Sequence, residues 1–159
     1  MIALAIRVHL GSDHAGFALK AKVAMKLIAL GHTPVDHGPA TFDPEDDYPA
    51  YCLRAALGAV AEAHAGSLAI VIGGSGNGEA IAANKVKGAR CVLAHSDDTA
   101  RLGREHNDAN VMSLGSRMIS EEEALRFVEI FVATPFSGDA RHLRRVAQLS
   151  AYEESGKIG

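Results

Sequence analysis

Glu79 closes the run Gly73-Gly-Ser-Gly-Asn-Gly-Glu79, whose residue types admit only a few chemistries. Glycines leave backbone N–H groups uncovered, and such a loop between an apolar strand and a helix forms a nest for an anion. A Walker-type phosphate loop would need Lys where Glu79 stands, and a dinucleotide fingerprint would need a third small residue there. A carboxylate beside a cradle of amides repels a polyphosphate. It suits a reaction in which a base removes a proton and the amides hold the oxyanion that forms, which is enolisation. A plainer role fits the same residues: Glu79 as a first-turn acid favoured by the helix dipole, with glycines that serve only a tight turn.

The other candidates carry charge or titrate near neutrality. Arg141 and Arg145 lie one turn apart on the last helix, with Arg144 beside them, and Arg117 follows the fifth strand. Their guanidinium forks would grip a phosphate dianion; a solvated basic face is the plain alternative. His106-Asn107 falls at the end of the fourth helix, where a histidine can shuttle a proton or simply complement the dipole. Asp13-His14 follows the first strand, and Asp13 has the side chain of an N-cap. His95 with Asp97 and Asp98 is the only dense ligand group, and no HxxxH or HExxH occurs, so no metal is expected. Gly74-Ser-Gly-Asn-Gly78 is not a nucleophile elbow, which argues against acyl transfer through Ser75.

These residues need a scaffold that brings strand ends together. Strands are expected over about Ile2 to Gly11, Thr33 to Asp36, Leu68 to Ile72, Arg90 to Ala94 and Asn110 to Leu114. Helices alternate with them: about Ala15 to Leu30, Tyr48 to Ala65, a restart at Glu79, Ser96 to His106, a capping box at Ser120-Glu-Glu-Glu123, and Gly138 to Ser155. The loop from Gly38 to Asp47 carries Pro39, Pro44 and the acids Asp43, Glu45, Asp46 and Asp47, and suits either a solvated surface or a pocket wall. The pattern predicts an α/β domain: a doubly wound, Rossmann-like sheet of about five parallel strands with helices on both faces. Ligands in such sheets bind beyond the carboxyl ends of the strands, where Asp13, His14, the glycine loop, His95 and Arg117 collect.

Composition sets outer bounds. A chain of 159 residues suits one domain, 1–159, and its net charge of -3 supplies no global basic field for nucleic acid or membrane. No segment is long and apolar enough to span a bilayer, and Arg7 interrupts the apolar N-terminus, so a strand is expected there rather than a signal peptide. Cys52 and Cys91 form neither CxxC nor zinc spacing and are expected as reduced structural thiols in a cytoplasmic protein.

With these pieces assembled, the chain resembles the type B ribose-5-phosphate isomerases, a family that also includes galactose-6-phosphate isomerase subunits. The matching segments are Gly11-Ser-Asp-His-Ala-Gly16, Asp46-Asp-Tyr-Pro49, Gly73 to Glu79, Ala82-Ala-Asn-Lys85, Glu105-His-Asn107, Gly115-Ser-Arg117, and Arg141 with Arg145. The resemblance implies aldose–ketose isomerisation of a sugar phosphate through an enediolate, in the pentose phosphate pathway, without metal or organic cofactor. It implies that Asp13 and His14 contact the sugar and that Tyr48 lines the pocket. Gly74, Ser75, Gly76, Asn77 and Gly78 would form the oxyanion loop, and Asn107, Arg117, Arg141 and Arg145 would bind substrate and phosphate. His106 would open the sugar ring. Many members place a cysteine base in a Cys-Gly-Thr-Gly type pattern, whereas this chain has Gly73-Gly74-Ser75. Glu79 matches the branch that uses a glutamate. The family further implies a homodimer with sites completed across the interface. Four- and six-carbon aldose phosphates stay open as substrates beside ribose 5-phosphate, as does a nonenzymatic sugar-phosphate-binding module.

Overall fold

The computed structural model describes residues 4–159. Its elements are β1 (Arg7–Ser12), α1 (Phe17–Ala29), β2 (Thr33–Asp36), α2 (Tyr48–Ala61), β3 (Leu68–Gly73), α3 (Asn77–Ala83), β4 (Cys91–Leu93), α4 (Asp97–Asn107), β5 (Val111–Gly115), α5 (Glu121–Ala133) and α6 (Ala140–Ser155). All four pairings of the sheet are parallel, in the order β2-β1-β3-β5-β4.

The central strand shows why a parallel sheet forms. β3 is buried throughout, and its side chains divide by alternation. Leu68, Ile70 and Ile72 enter a layer with Leu19, Val23 and Leu27 of α1 and Phe127, Val128 and Phe131 of α5. Ala69 and Val71 enter the opposite layer with Cys52, Ala55, Ala56 and Ala59 of α2 and Ala82 and Ala83 of α3. The second layer is built of small residues, so α2 lies close to the sheet. A Cβ at Gly11 would collide with the Tyr51 carbonyl, and one at Gly58 would enter the His9 ring.

The expected elements are all present, with shifted ends. Strand β1 starts at Arg7, and residues 2 and 3 of the expected strand lie outside the described residues. A short 3-10 turn, His14–Gly16, precedes α1 because Asp13 Oδ1 accepts from the amides of Ala15 and Gly16. Helix α2 stops at Ala61, short of Ala65, and a second 3-10 turn ends at Gly66 in the left-handed region (φ 73°). Helix α3 begins at Asn77 rather than Glu79 and spans 7 residues. The last helix begins at Ala140, and Ser96 and Ser120 both cap through their side chains as expected.

Strand order positions the site. The chain runs outward from β1 to β2 and then returns to the other side of β1 to lay down β3, so the topology reverses between β1 and β3. In register, Ser12 pairs with Ile72, Ile72 with Leu114, and Gly73 with Gly115. The three chain segments therefore leave the sheet at one level, about 5 Å apart.

Candidate active site

The first strand end supplies Asp13 and His14. Asp13 is 8% exposed and performs the capping role that its type suggested, and its charge acts on Glu79. His14 is bound by the polar loop: its main-chain N–H and its ring Nδ1 both lie 2.8 Å from Asp46 Oδ1. The side chain of Asp46 is only 5% exposed. The loop before α2 is thus a pocket wall at Asp46, while Asp43, Glu45 and Asp47 are exposed. The Asp46 hydrogen bond raises the His14 pKa most; burial opposes, the charges of Asp13 and Asp46 add, and Arg117 opposes.

The second strand end supplies the glycine loop. Gly73 O accepts from Ser116 N (2.8 Å), Gly74 O from Arg117 N (3.0 Å), and Gly76 O from the buried Ser113 Oγ (2.6 Å). In a trans peptide the following N–H points opposite to the carbonyl. The amides of Gly74 and Ser75 therefore face away from β5. Asn77 N donates to Ser75 Oγ (3.2 Å), and Gly76 takes φ 82°, which places the sharp bend at a residue without a side chain. The Tyr48 ring packs on Gly78, where any Cβ would meet its hydroxyl, and Arg117 flanks Gly74.

Glu79 is 3% exposed at this loop. Burial lifts its carboxyl pKa above the ordinary 4.5, its own amide and that of Gly76 pull it back, and the Asp13 charge adds to the rise. Its carboxylate occupies the volume into which a side chain at position 73 would project: a Cβ built on Gly73 collides with both carboxylate oxygens. Lack of a side chain at 73 and a carboxylate at 79 are therefore one feature. Neither thiol competes for the role, since burial pushes Cys52 far up and Cys91 to about 12.

His95 shares a cavity of about 160 Å³ with Ser75 and Asn77 on the β4 side of the loop. A larger cavity of about 500 Å³ lies between α6 and the β4 edge; Asn107 and Tyr152 line it, and the glycine loop does not. The acids that follow His95 are engaged elsewhere, Asp97 with Arg126 and Asp98 with Arg101. Among the described residues no group of three or more His, Cys, Asp or Glu is arranged to hold a metal ion, and no helix is long and apolar enough to cross a membrane.

The remaining candidates lie elsewhere. Helix α4 starts beyond the carboxyl end of β4 and runs back for 11 residues, about 16 Å. Asn107 then sits at the amino edge, where its carbonyl accepts from Arg90 Nε (3.0 Å). His106 packs there against His142 of α6, with ring centroids 4.2 Å apart and the planes tilted by 33°. Arg141 and Arg145 are exposed on α6 and form no ion pair with the described residues. One chain thus joins Asp13, His14, Tyr48, Gly74 to Gly78, Glu79 and Arg117, and holds His106, Asn107, Arg141 and Arg145 apart. Sequence reasoning missed Asp46, Ser113, Ser116 and His142. A carboxylate two residues before Tyr48 was visible for Asp46, but only the fold shows which one turns inward.

The chain is similar to known proteins of one family. The sequence pattern of a family described as Ribose/Galactose Isomerase matches residues 8–149. Ribose-5-phosphate isomerase B of Mycolicibacterium paratuberculosis is 53% identical over 150 residues, covering 94% of this chain and 93% of that protein. The crystal structure of ribose-5-phosphate isomerase B from Mycoplasma genitalium with bound ribulose-5-phosphate superposes with a TM-score of 0.91 at 36% identity, covering 96% of this chain and 99% of that one. Type B ribose 5-phosphate isomerase of Trypanosoma cruzi gives a TM-score of 0.89 at 36% identity over 97% and 100% of the two chains.

Proposed function

Because the chain belongs to the ribose/galactose isomerase family, we propose that it interconverts D-ribose 5-phosphate and D-ribulose 5-phosphate, with Glu79 as the base. The observation that carries this reading is the buried Glu79 carboxylate seated against Gly73 beside an amide-bearing loop. Burial that raises its pKa brings a carboxylate nearer the range in which it can both take and return a proton.

Glu79 removes the proton from C2 of the open-chain aldose, the C–H electron pair forms the C1–C2 double bond, and the C1 carbonyl oxygen takes the negative charge. The same proton returns at C1 while the O2–H proton passes to O1, which leaves the ketone at C2. The free amides of the Gly74 to Gly78 loop, those of Gly74 and Ser75 among them, stabilise the enediolate, each donor contributing roughly 3 kcal/mol by analogy with oxyanion holes. Asp13 and His14 hold the sugar, Tyr48 closes the pocket over Gly78, and Arg117 binds the phosphate end. No step needs a metal or an organic cofactor.

His106, Asn107, Arg141 and Arg145 enter from a second copy of the chain, with His106 in ring opening and the arginines on phosphate. Two observations support a dimer of this kind: these residues stand at the far edge from Glu79, and α6, which buries none of its residues, leaves Leu143, Leu149 and Tyr152 exposed. The free thiols fit a cytoplasmic enzyme of the pentose phosphate pathway.

Deuterium wash-in from D2O, followed on four-, five- and six-carbon aldose phosphates with and without a chelator, tests the reading. Chelator-resistant exchange fastest on ribose 5-phosphate is expected. Full turnover by Glu79→Gln would refute the base, and exchange fastest on another sugar would move the substrate within the family.

A further inference from the structure

We propose that Asp46 is a positioning residue for this reaction, fixing His14 with its proton on Nδ1 so that the Nε2 edge faces the anionic substrate beside Arg117. The inference rests on the isomerase reading above and adds a residue and a charge state to it. An ionised carboxylate only accepts hydrogen bonds, so the 2.8 Å contact between Asp46 Oδ1 and His14 Nδ1 places the ring proton on Nδ1. The same oxygen also holds the His14 main-chain N–H, which fixes both ends of the residue. Nδ1 is therefore committed, Nε2 makes no hydrogen bond to the described residues, and the ring keeps about a third of its surface.

The second observation is that Asp46 Oδ2 is buried without a partner among the described residues. A buried carboxylate with one oxygen unsatisfied is costly unless a cation sits on the other. His14 is the group in reach, so the pair favours imidazolium. The charged groups around the ring act in opposing senses: Asp46 and Asp13 favour the protonated form, and Arg117 opposes it. The outcome is a second cation next to Arg117, at the end of the site where the sugar phosphate arrives.

Asp46→Asn keeps the shape and an acceptor for the main-chain N–H while removing the charge. Ring ¹⁵N NMR of the full-length protein should show the His14 titration midpoint falling in the variant. KM for ribose 5-phosphate at pH 8 should rise about tenfold, with kcat changed less, and the penalty should close toward pH 6 as His14 regains its proton. In a His14→Asn background, adding Asp46→Asn should leave KM unchanged. An unmoved His14 titration, a KM penalty equal at both pH values, or a further KM change without His14 would each overturn the proposal. If the unaltered protein does not turn over ribose 5-phosphate, the isomerase reading fails, and the NMR titration still decides whether Asp46 sets the charge of His14.

Discussion

Gly73→Ala is the sharpest test of the active-site geometry. A methyl group at this position falls inside van der Waals contact of the Glu79 carboxyl carbon and of both its oxygens. Restoring ordinary carbon–oxygen separation requires the carboxylate to retreat by more than about 1 Å, a displacement that costs on the order of 100-fold when it separates reacting atoms. The backbone accepts the change, because Gly73 is not among the glycines at positive φ. The groups proposed to bind the phosphate are also untouched. The loss therefore belongs in kcat, with KM little altered. Steady-state kinetics on ribose 5-phosphate, together with solvent deuterium exchange, measure both. A variant whose kcat stays within about twofold of the parent would show that Glu79 does not act from this position. The complementary pair, Gly73→Cys with Glu79→Ala, places a thiol in the vacated volume and should recover part of the exchange lost in Glu79→Ala alone.

Three further outcomes follow from the same site. The acid limb of kcat/KM should lie above the ordinary glutamate value of 4.5, because burial raises the Glu79 pKa and only the ionised form accepts a proton. The raised pKa also means that the folded chain holds this proton more tightly than the unfolded chain. Stability from that proton is present below pH 4.5 and lost as pH rises through the folded pKa, so Glu79→Gln should melt above the parent at pH 8, with the gap shrinking at pH 5. An equal gap at both values would refute the burial argument. If sites are completed by a second copy, mixing inactive Glu79→Gln and His106→Asn proteins should restore about a quarter of full activity after exchange, since half the dimers are mixed and each has one intact site; no recovery in exchanged dimers would refute sharing.

Much of this was legible in the sequence because local chemistry and global fold agree. The β-branched run at Leu68 to Ile72, the glycines after it and the capping box at Ser120 each imply one local structure, and each is found. The ends that moved did so for reasons that act through space. Asp13 diverts the chain into a 3-10 turn before α1 can begin, and Gly76 at φ 82° starts α3 two residues early. The role of Asp46 was illegible because four acids share one loop and only packing selects which is buried. The pairing of β5 between β3 and β4 was equally hidden, since alternating strands and helices allow either order.

The split of the candidate residues follows from that architecture. In a parallel sheet each helix returns from the carboxyl edge to the amino edge, so a residue in a helix's last turn is carried away from the strand ends where ligands bind. His106 and Asn107 stand in the last turn of α4, and the 11 residues between Ser96 and Asp108 set the distance. No side-chain rotation spans it, since a histidine side chain is far shorter than a helix of about 16 Å. If His106 touches the sugar held by Glu79, it must come from another molecule whose amino edge meets this one's carboxyl edge. The exposed apolar side chains Leu143, Leu149 and Tyr152 share α6 with His142, which adjoins His106. An α6 surface change such as Leu149→Asp, which leaves the Glu79 loop intact, should therefore lower activity in step with the loss of dimer, and activity retained by a demonstrated monomer would rule out the shared site.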